Sequence, residues 1–199
     1  MIRRRFLLTA APLAATAALA GCAGAPPTQY YRLAAQSGLP RPSAAVQIGV
    51  RSIGIPGYLD QNGIARPAGG DQFDSFANGL WAAPLAGMLQ SVMAQNLAQR
   101  LPDATVLATG GAIGAPAALF IEIDVLRFDP DPSGNIALVA QIAIRAATGA
   151  PDWRIQTFTA QAMPAGAQPA DIVAAMTTLW AQAADQLADQ IASHIANGV

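Results

Sequence analysis

The fold of this chain is decided by residues Leu119–Phe128, whose sequence LFIEIDVLRF alternates between two sets of side chains. Such alternation is typical of a β-strand with one face in the core and the other partly hydrated. The predicted core face holds Leu119, Ile121, Ile123 and Val125. Ile136–Arg145 and Trp153–Met163 are predicted to be further strands, and connections of hairpin length rich in Pro, Gly and Asp separate the three. The sequence therefore predicts an antiparallel meander.

Two segments outside the meander have the apolar spacing of helices. One has Pro84 in its first turn and ends at Leu101-Pro102, and the other runs from about Pro169 to Ala196. Extended segments are also predicted at Tyr30–Leu33, at Val46–Ile55, in two short pieces of Tyr58–Phe76 joined by a turn at Gly69-Gly70, and at Ala104–Ala108. The pattern predicts an α+β fold, in which a mainly antiparallel sheet has two long helices packed on one face.

The N-terminus has the features of an export signal. Arginines at positions 3–5 precede the uncharged run Phe6–Ala18, which is shorter than the roughly 20 residues that span a bilayer. The run leads into Leu19-Ala20-Gly21-Cys22, which resembles the lipobox of bacterial lipoproteins, in which the cysteine thiol accepts diacylglycerol. We therefore predict a lipoprotein signal peptide over residues 1–21 and lipid attachment at Cys22.

The lipid on Cys22 is expected to hold the protein on a membrane, since each buried methylene contributes about 0.8 kcal/mol. Residues 22–29 include two prolines and are predicted to form a tether, followed by a single domain over residues 30–199. In lipoproteins, Asp directly after the cysteine usually signals retention in the inner membrane. Because this chain has Ala23 there, the resemblance implies the outer membrane, with the domain facing the periplasm.

The composition excludes several functional classes. Of the 199 residues, 53% are hydrophobic and 12% are charged, and 11 basic residues nearly balance 12 acidic ones. This balance excludes a protein that binds nucleic acid through bulk charge. One cysteine and one histidine allow neither an intrachain disulfide nor a metal site with two histidines from one chain.

Two turn segments resemble ligand-binding loops. Asp129–Gly134 resembles the start of a calcium loop, but Ala140 stands where that loop requires a bidentate Glu. Gly110–Gly114 lacks the Lys-Ser/Thr pair with which a phosphate loop meets phosphate and magnesium. We therefore predict a hairpin turn and a flexible connector, and no metal site.

The remaining candidates for catalysis are His194 and the pair Glu122 and Asp124. His194 lies near the end of a predicted helix, and the sequence offers no nucleophile motif to accompany it. The two carboxylates suit a partly hydrated sheet face, although their spacing alone leaves an acid/base pair open. We predict that the protein is not an enzyme and that it uses no cofactor, apart from the covalent lipid.

Bulky side chains beside turns form a candidate interface. They lie outside the clear strands, and such residues often anchor contacts between proteins. The predicted partner interface consists of Tyr58, Leu59, Asp60, Trp81, Pro84 and Leu85. The alternative is that these side chains only pack the loop onto the first helix, and the residues themselves leave both possibilities open.

The same segments carry a family resemblance. In order along the chain they are Tyr30–Leu33 (YYRL), Ile53–Asp60 (IGIPGYLD), Trp81–Leu85 (WAAPL) and Asn96–Pro102 (NLAQRLP). Together with the lipobox, they resemble the ABC-type transport auxiliary lipoprotein family, the PqiC-like proteins, over nearly the whole mature chain. That family commonly has Arg after the aspartate of Y-L-D, where this chain has Gln61. The resemblance implies a fold of sheet and two helices, in agreement with the prediction above.

The resemblance also implies a non-enzymatic role in envelope lipid transport. Relatives work with an inner-membrane ABC transporter and a periplasm-spanning MCE-type protein, and they support outer-membrane integrity. This chain is then expected to receive the distal end of the MCE protein, either as one copy or as a homo-oligomer around that end.

Two further functions remain open. The domain itself could hold a phospholipid or another hydrophobic ligand between sheet and helices and act as a carrier, which requires a large apolar cavity. It could also be a structural lipoprotein without a transport role.

Overall fold

The computed structural model describes residues 27–69, 72–148 and 154–196. Within these ranges the elements are β1 (Gln29–Tyr31), β2 (Gln47–Val50), β3 (Gly63–Gly69), β4 (Gln72–Trp81), α1 (Leu85–Arg100), β5 (Thr105–Ala108), β6 (Leu119–Pro130), β7 (Ile136–Ala146), β8 (Arg154–Ala162) and α2 (Pro169–Ala196). The predicted signal peptide and Cys22 lie outside the described residues. So do Gly70 of the predicted turn and Trp153 at the predicted strand start.

The larger of the two sheets has five strands in the order β5-β2-β6-β7-β8. β6, β7 and β8 pair antiparallel, which confirms the predicted meander. β2 pairs parallel with both β5 and β6, a feature that the sequence analysis did not predict. β2 is also shorter than predicted, because beyond Val50 the chain makes only an isolated bridge between Gly54 and Asp124.

The smaller sheet has three strands in the order β1-β4-β3. β3 and β4 form an antiparallel hairpin, and β1 pairs parallel with the C-terminal end of β4. The two extended pieces predicted within residues 58–76 correspond to this hairpin, but β4 continues to Trp81. Alternation did not reveal that length because the pairing of β3 and β4 shifts register twice, between Gly63 and Ala65 and between Pro67 and Gly69.

β6 follows the predicted alternation only as far as Val125. Leu119, Ile121, Ile123 and Val125 are buried, as predicted. A register shift between Val125 and Arg127 then turns Phe128 into the core. Because successive side chains of a strand point to opposite faces, Asp129 lies on the other face, and Tyr58 contacts it there.

The two helices pack against each other and cover the core face of the five-stranded sheet. α1 contacts β2 and β5, and α2 contacts β7 and β8. Trp180 at the centre is fully buried, and its indole Nε1 donates a hydrogen bond to the carbonyl oxygen of Leu89 at 3.0 Å. Its ring centroid lies 6.0 Å from that of Phe128. The predicted α+β class with two helices is confirmed, as is the second helix over Pro169–Ala196.

Candidate functional site

The structure brings the two motifs of the predicted interface together. The backbone N–H of Trp81, at the end of β4, donates to the carbonyl oxygen of Asn62 at 2.7 Å. The turn before Asn62 is closed by the N–H of Leu59, which donates to the carbonyl oxygen of Pro56 at 2.9 Å. The Tyr58-Leu59-Asp60 turn therefore lies directly beside the segment that leads into α1.

Burial divides the six residues of the predicted interface into two groups. Leu59, Trp81 and Leu85 are 3%, 7% and 2% exposed and belong to the core. Tyr58, Asp60 and Pro84 are exposed. Packing of the loop onto α1 therefore accounts for the first group, whereas the second is the part of the predicted interface that a partner can reach in the single chain.

Tyr58 is joined to β6 through a buried carboxylate. Its hydroxyl donates to Oδ2 of Asp129, and Nε of Arg127 donates to Oδ1 of the same residue at 3.0 Å. The Asp129 side chain is 0% exposed, so both partners offset the cost of burying its charge. Burial of the phenol, reinforced by its hydrogen bond to Asp129, raises the pKa of Tyr58 well above its usual range.

The sequence predicts only a hairpin turn at Asp129 and gives no sign of its contact with Tyr58. No local signal could have revealed it, because Tyr58 and Asp129 lie 71 positions apart. The turn is confirmed only from Asp131 onward, because Asp129 and Pro130 belong to β6. Oδ1 of Asp131 accepts hydrogen bonds from the backbone N–H groups of Ser133 and Asn135, at 2.8 and 3.0 Å. In the part of the chain that the structure describes, no group of three or more His, Cys, Asp or Glu side chains could hold a metal ion.

Aromatic and cationic side chains line both faces of the β3–β4 hairpin. Phe73 is 45% exposed and stacks on Tyr58, with ring centroids 4.9 Å apart. Nη2 of Arg66 donates to Oδ2 of Asp74 at 2.7 Å, and its guanidinium lies 5.7 Å from the ring centroid of Phe76. The sequence does not indicate that these residues form a surface, since this region lacks a clear hydrophobic periodicity.

A surface cleft of about 430 Å³ lies where the hairpin meets the five-stranded sheet and the start of α2. Its walls include Arg66, Phe76, Pro130, Met163 and Ile172. The cleft is mainly apolar with a cation among its walls, so its chemistry suits an apolar group attached to a polar or anionic one.

Arg100 at the end of α1 is buried and joins an ionic cluster that the sequence did not predict. It is 1% exposed, and Nε and Nη2 donate to the two carboxylate oxygens of Asp185 on α2, at 2.8 and 3.0 Å. Its Nη1 donates to the carbonyl oxygen of Gln36 at 2.8 Å, while Arg41 bridges Asp185 and Asp189. The hydrogen bonds from Arg100 lower the pKa of Asp185. This cluster fastens residues 36–41 to both helices and is structural in character.

The remaining candidates lie where the simpler interpretations place them. Oε1 of Glu122 lies 3.3 Å from Nε of Arg51 and 3.4 Å from Nε of Arg145 on the outer sheet face. Asp124 is exposed on the same strand, as predicted for a partly hydrated face. The stretch 110–114 is an irregular connector, and His194 lies partly buried in the last turn of α2.

None of the helices in the described ranges is both long and apolar enough to cross a membrane.

Comparisons with known proteins give a family and a fold. The family model of the ABC-type transport auxiliary lipoprotein component matches residues 31–188. A solved structure of an uncharacterized protein has 20% identity and a TM-score of 0.69, and the match covers 83% of this chain and 99% of that one. A Xanthomonas campestris protein of the DUF330 family has 16% identity and a TM-score of 0.69, with 86% and 100% covered. A search of curated proteins finds no match.

Proposed function

Because this chain belongs to the ABC-type transport auxiliary lipoprotein family, we propose that it is a non-enzymatic docking component of an MCE-type lipid transport system. In this proposal, acylated Cys22 anchors the domain to the periplasmic face of the outer membrane. The domain receives the distal end of a periplasmic MCE-domain protein, whose other end lies at the inner-membrane ABC transporter. Lipid then crosses a short, sheltered gap, which maintains the integrity of the envelope.

The observation that carries the docking role is the filled space between sheet and helices. A carrier of this architecture would hold its lipid there, but Trp180, Phe128, Met93, Leu89 and Leu179 occupy that space and are all 0% exposed. Close-packed interiors leave no room for an acyl chain without displacing side chains. This packing favours docking over the carrier function.

The exposed part of the predicted interface supplies a docking surface. Tyr58 presents a ring fixed by its bond to Asp129, while Asp60 and Pro84 lie on neighbouring turns that the Trp81–Asn62 hydrogen bond holds together. A preorganised surface loses little conformational entropy when a partner binds. Several copies of the chain around the distal end of the MCE protein would repeat this surface as a ring.

The test is site-specific photocrosslinking in intact native envelopes. A photoreactive amino acid replaces Asp60 or Pro84, and the crosslinked lipoprotein is purified and its partners are identified by mass spectrometry. The matched control places the same group at Ile113, which is 70% exposed in the connector after β5. We expect an MCE protein from positions 60 and 84 and none from position 113.

Recovery of the lipoprotein alone from positions 60 and 84, in envelopes that contain MCE and ABC components and crosslink well, would overturn the docking role. Stoichiometric phospholipid extracted with the purified protein would instead favour the carrier. A Cys22→Ser variant found in the soluble periplasmic fraction, with the wild type in the outer-membrane fraction, would support the proposed anchor.

A further inference from the structure

We propose that the β3–β4 hairpin rests on the phospholipid surface to which Cys22 anchors the domain. The contact is made by the hairpin patch, defined here as Arg66, Phe73, Phe76 and Met163. The inference rests on the proposed lipid attachment at Cys22 and adds to it an orientation of the domain on the bilayer.

The length of the tether limits how far the start of β1 can lie from the membrane. Only six residues lie between Cys22 and Gln29, the first residue of β1, so the chain takes seven steps from one to the other. A fully extended chain of that length spans at most about 25 Å. The anchor therefore keeps the start of β1, and the three-stranded sheet to which it belongs, close to the bilayer.

The direction of β1 selects the hairpin end of that sheet. β1 is parallel to β4, with Gln29 opposite Gly79 and Tyr31 opposite Trp81. The chain therefore enters β1 from the side on which β4 begins at Gln72, next to the connection from Gly69. The N-terminal end of β1 consequently points toward the side of the sheet on which the hairpin ends.

The first face of the hairpin presents aromatic rings suited to the headgroup region. Phe73 is 45% exposed and is backed by the ring of Tyr58, which is 37% exposed. Phe is among the apolar residues that enter the boundary between headgroups and acyl chains in proteins that lie on a bilayer. The stacking and the bond from Tyr58 to Asp129 hold both rings in place before any contact with lipid.

The second face combines apolar groups with a cation. Met163 is 69% exposed and lines the 430 Å³ cleft together with Arg66 and Phe76. Arg66 also forms an ion pair with Asp74, which offsets its charge, and its long stem can lie along apolar surface while its guanidinium meets a phosphate. The cleft thus offers room for the apolar part of a lipid next to a group that binds its headgroup.

The test uses the full-length acylated protein in vesicles of phosphatidylethanolamine and phosphatidylglycerol. Cys22 is the sole cysteine and its sulfur is proposed to carry lipid, so a Phe73→Cys variant offers one free thiol for an environment-sensitive fluorophore. Vesicles whose acyl chains carry a collisional quencher then report whether the fluorophore reaches the bilayer. Met163→Cys, directly after β8, samples the cleft beside the second face of the hairpin.

The matched control is Ile155→Cys. Ile155 is 63% exposed, which is more than Phe73. It lies on β8, whose end at Ala162 is the one nearer the hairpin patch, and it precedes that end by seven residues. If exposure of an apolar residue were enough to bring the fluorophore into the bilayer, the fluorophore at position 155 would be quenched at least as strongly as the one at position 73. We expect the fluorophore at positions 73 and 163 to be quenched at least about three times as strongly as the fluorophore at position 155.

Flotation of the vesicles separates this inference from the one it rests on. If the protein does not float with the vesicles, the lipid attachment at Cys22 fails, and the hairpin contact falls with it. Flotation with equal quenching at all three positions overturns the hairpin contact alone. A blue shift at position 73 without quenching by lipid, increasing with protein density, would show contact with a second protein copy and would also overturn it.

Discussion

At the scale of single residues, Tyr58 is the residue that most directly links the family motif to the rest of the structure. Its hydroxyl binds the buried carboxylate of Asp129, and its ring stacks on Phe73. The same side chain therefore contributes to stability and to the surface of the domain. Its ionisation offers a way to observe the buried contact directly.

We predict that the Tyr58 phenol stays protonated as the pH rises past 10, its ordinary pKa. The folded pKa lies above the unfolded one, so the stabilisation from the retained proton is fully present below pH 10. It is lost as the pH rises from 10 through the folded pKa. Tyrosinate absorbance and urea unfolding of the wild type and Tyr58→Phe measure this effect.

The stability difference between wild type and Tyr58→Phe should shrink above pH 10, because the variant lacks the ionisable group. A difference that stays constant across that range would show that the phenol is not held by Asp129. Tyr30, which is 69% exposed, provides the control substitution Tyr30→Phe.

At the scale of elements, residues 36–41 are an irregular segment held onto two helices by Arg100 and Arg41. Arg100 donates to the carbonyl oxygen of Gln36, and the N–H of Arg41 donates to the carbonyl oxygen of Arg100 at 2.7 Å. Gly38 lies against the guanidinium so closely that a Cβ at this position would overlap it. Because several hydrogen bonds fix Arg100, its guanidinium cannot move aside to make room for the Cβ without losing them.

We predict that Gly38→Ala lowers the free energy of unfolding by about 2 kcal/mol, the usual cost of overpacking a filled site. The matched control is Gly87→Ala in the first turns of α1, where a Cβ meets nothing within 4 Å. There the change should stabilise by about 0.5 kcal/mol, since Ala is the better helix former. Urea denaturation measures both, and equal effects of the two substitutions would contradict the proposed contact.

At the scale of the whole molecule, the two sheets form one body because buried side chains of both share one core and specific contacts join them. Tyr58 and Asp129 connect the turn before β3 with the end of β6, and Pro169 at the start of α2 lies against Gly79 of β4. In the proposed orientation, the three-stranded sheet faces the bilayer and the five-stranded sheet carries most of the core. The junction between the sheets then sets how rigidly the anchor holds the domain.

We predict that Tyr58→Phe increases amide hydrogen exchange in β3 and β4 by about tenfold and leaves β7 and the part of β6 before Val125 nearly unchanged. A hydrogen bond to a charged group contributes about 1.5 kcal/mol, which corresponds to roughly that factor in a local opening equilibrium. Exchange followed by mass spectrometry resolves the two sheets. Asp74→Asn, which breaks only the exposed pair with Arg66, should change exchange much less, and a uniform increase in both sheets would contradict a local junction.

The sequence by itself determined the elements whose pattern is local. The alternation of residues 119–125 predicts which face of β6 is buried, and helical spacing together with Pro169 and Pro84 predicts where both helices begin. Such patterns depend on periods of two and 3.6 residues, so they are visible without knowledge of the fold. The motifs around Tyr58 and Trp81 carried the family resemblance for the same reason, since they are short and contiguous.

Only the tertiary structure decided how these elements meet. The bulge after Val125 reverses the alternation and places Asp129 beneath Tyr58. The residues near Asp129 give no indication of a partner 71 positions away in the sequence. Parallel pairing of β2 with β5 and β6 and the junction of Arg100 with Asp185 likewise join distant segments. Burial also separated Leu59, Trp81 and Leu85 from the exposed Tyr58, Asp60 and Pro84, because exposure depends on what the rest of the chain places on top of a side chain.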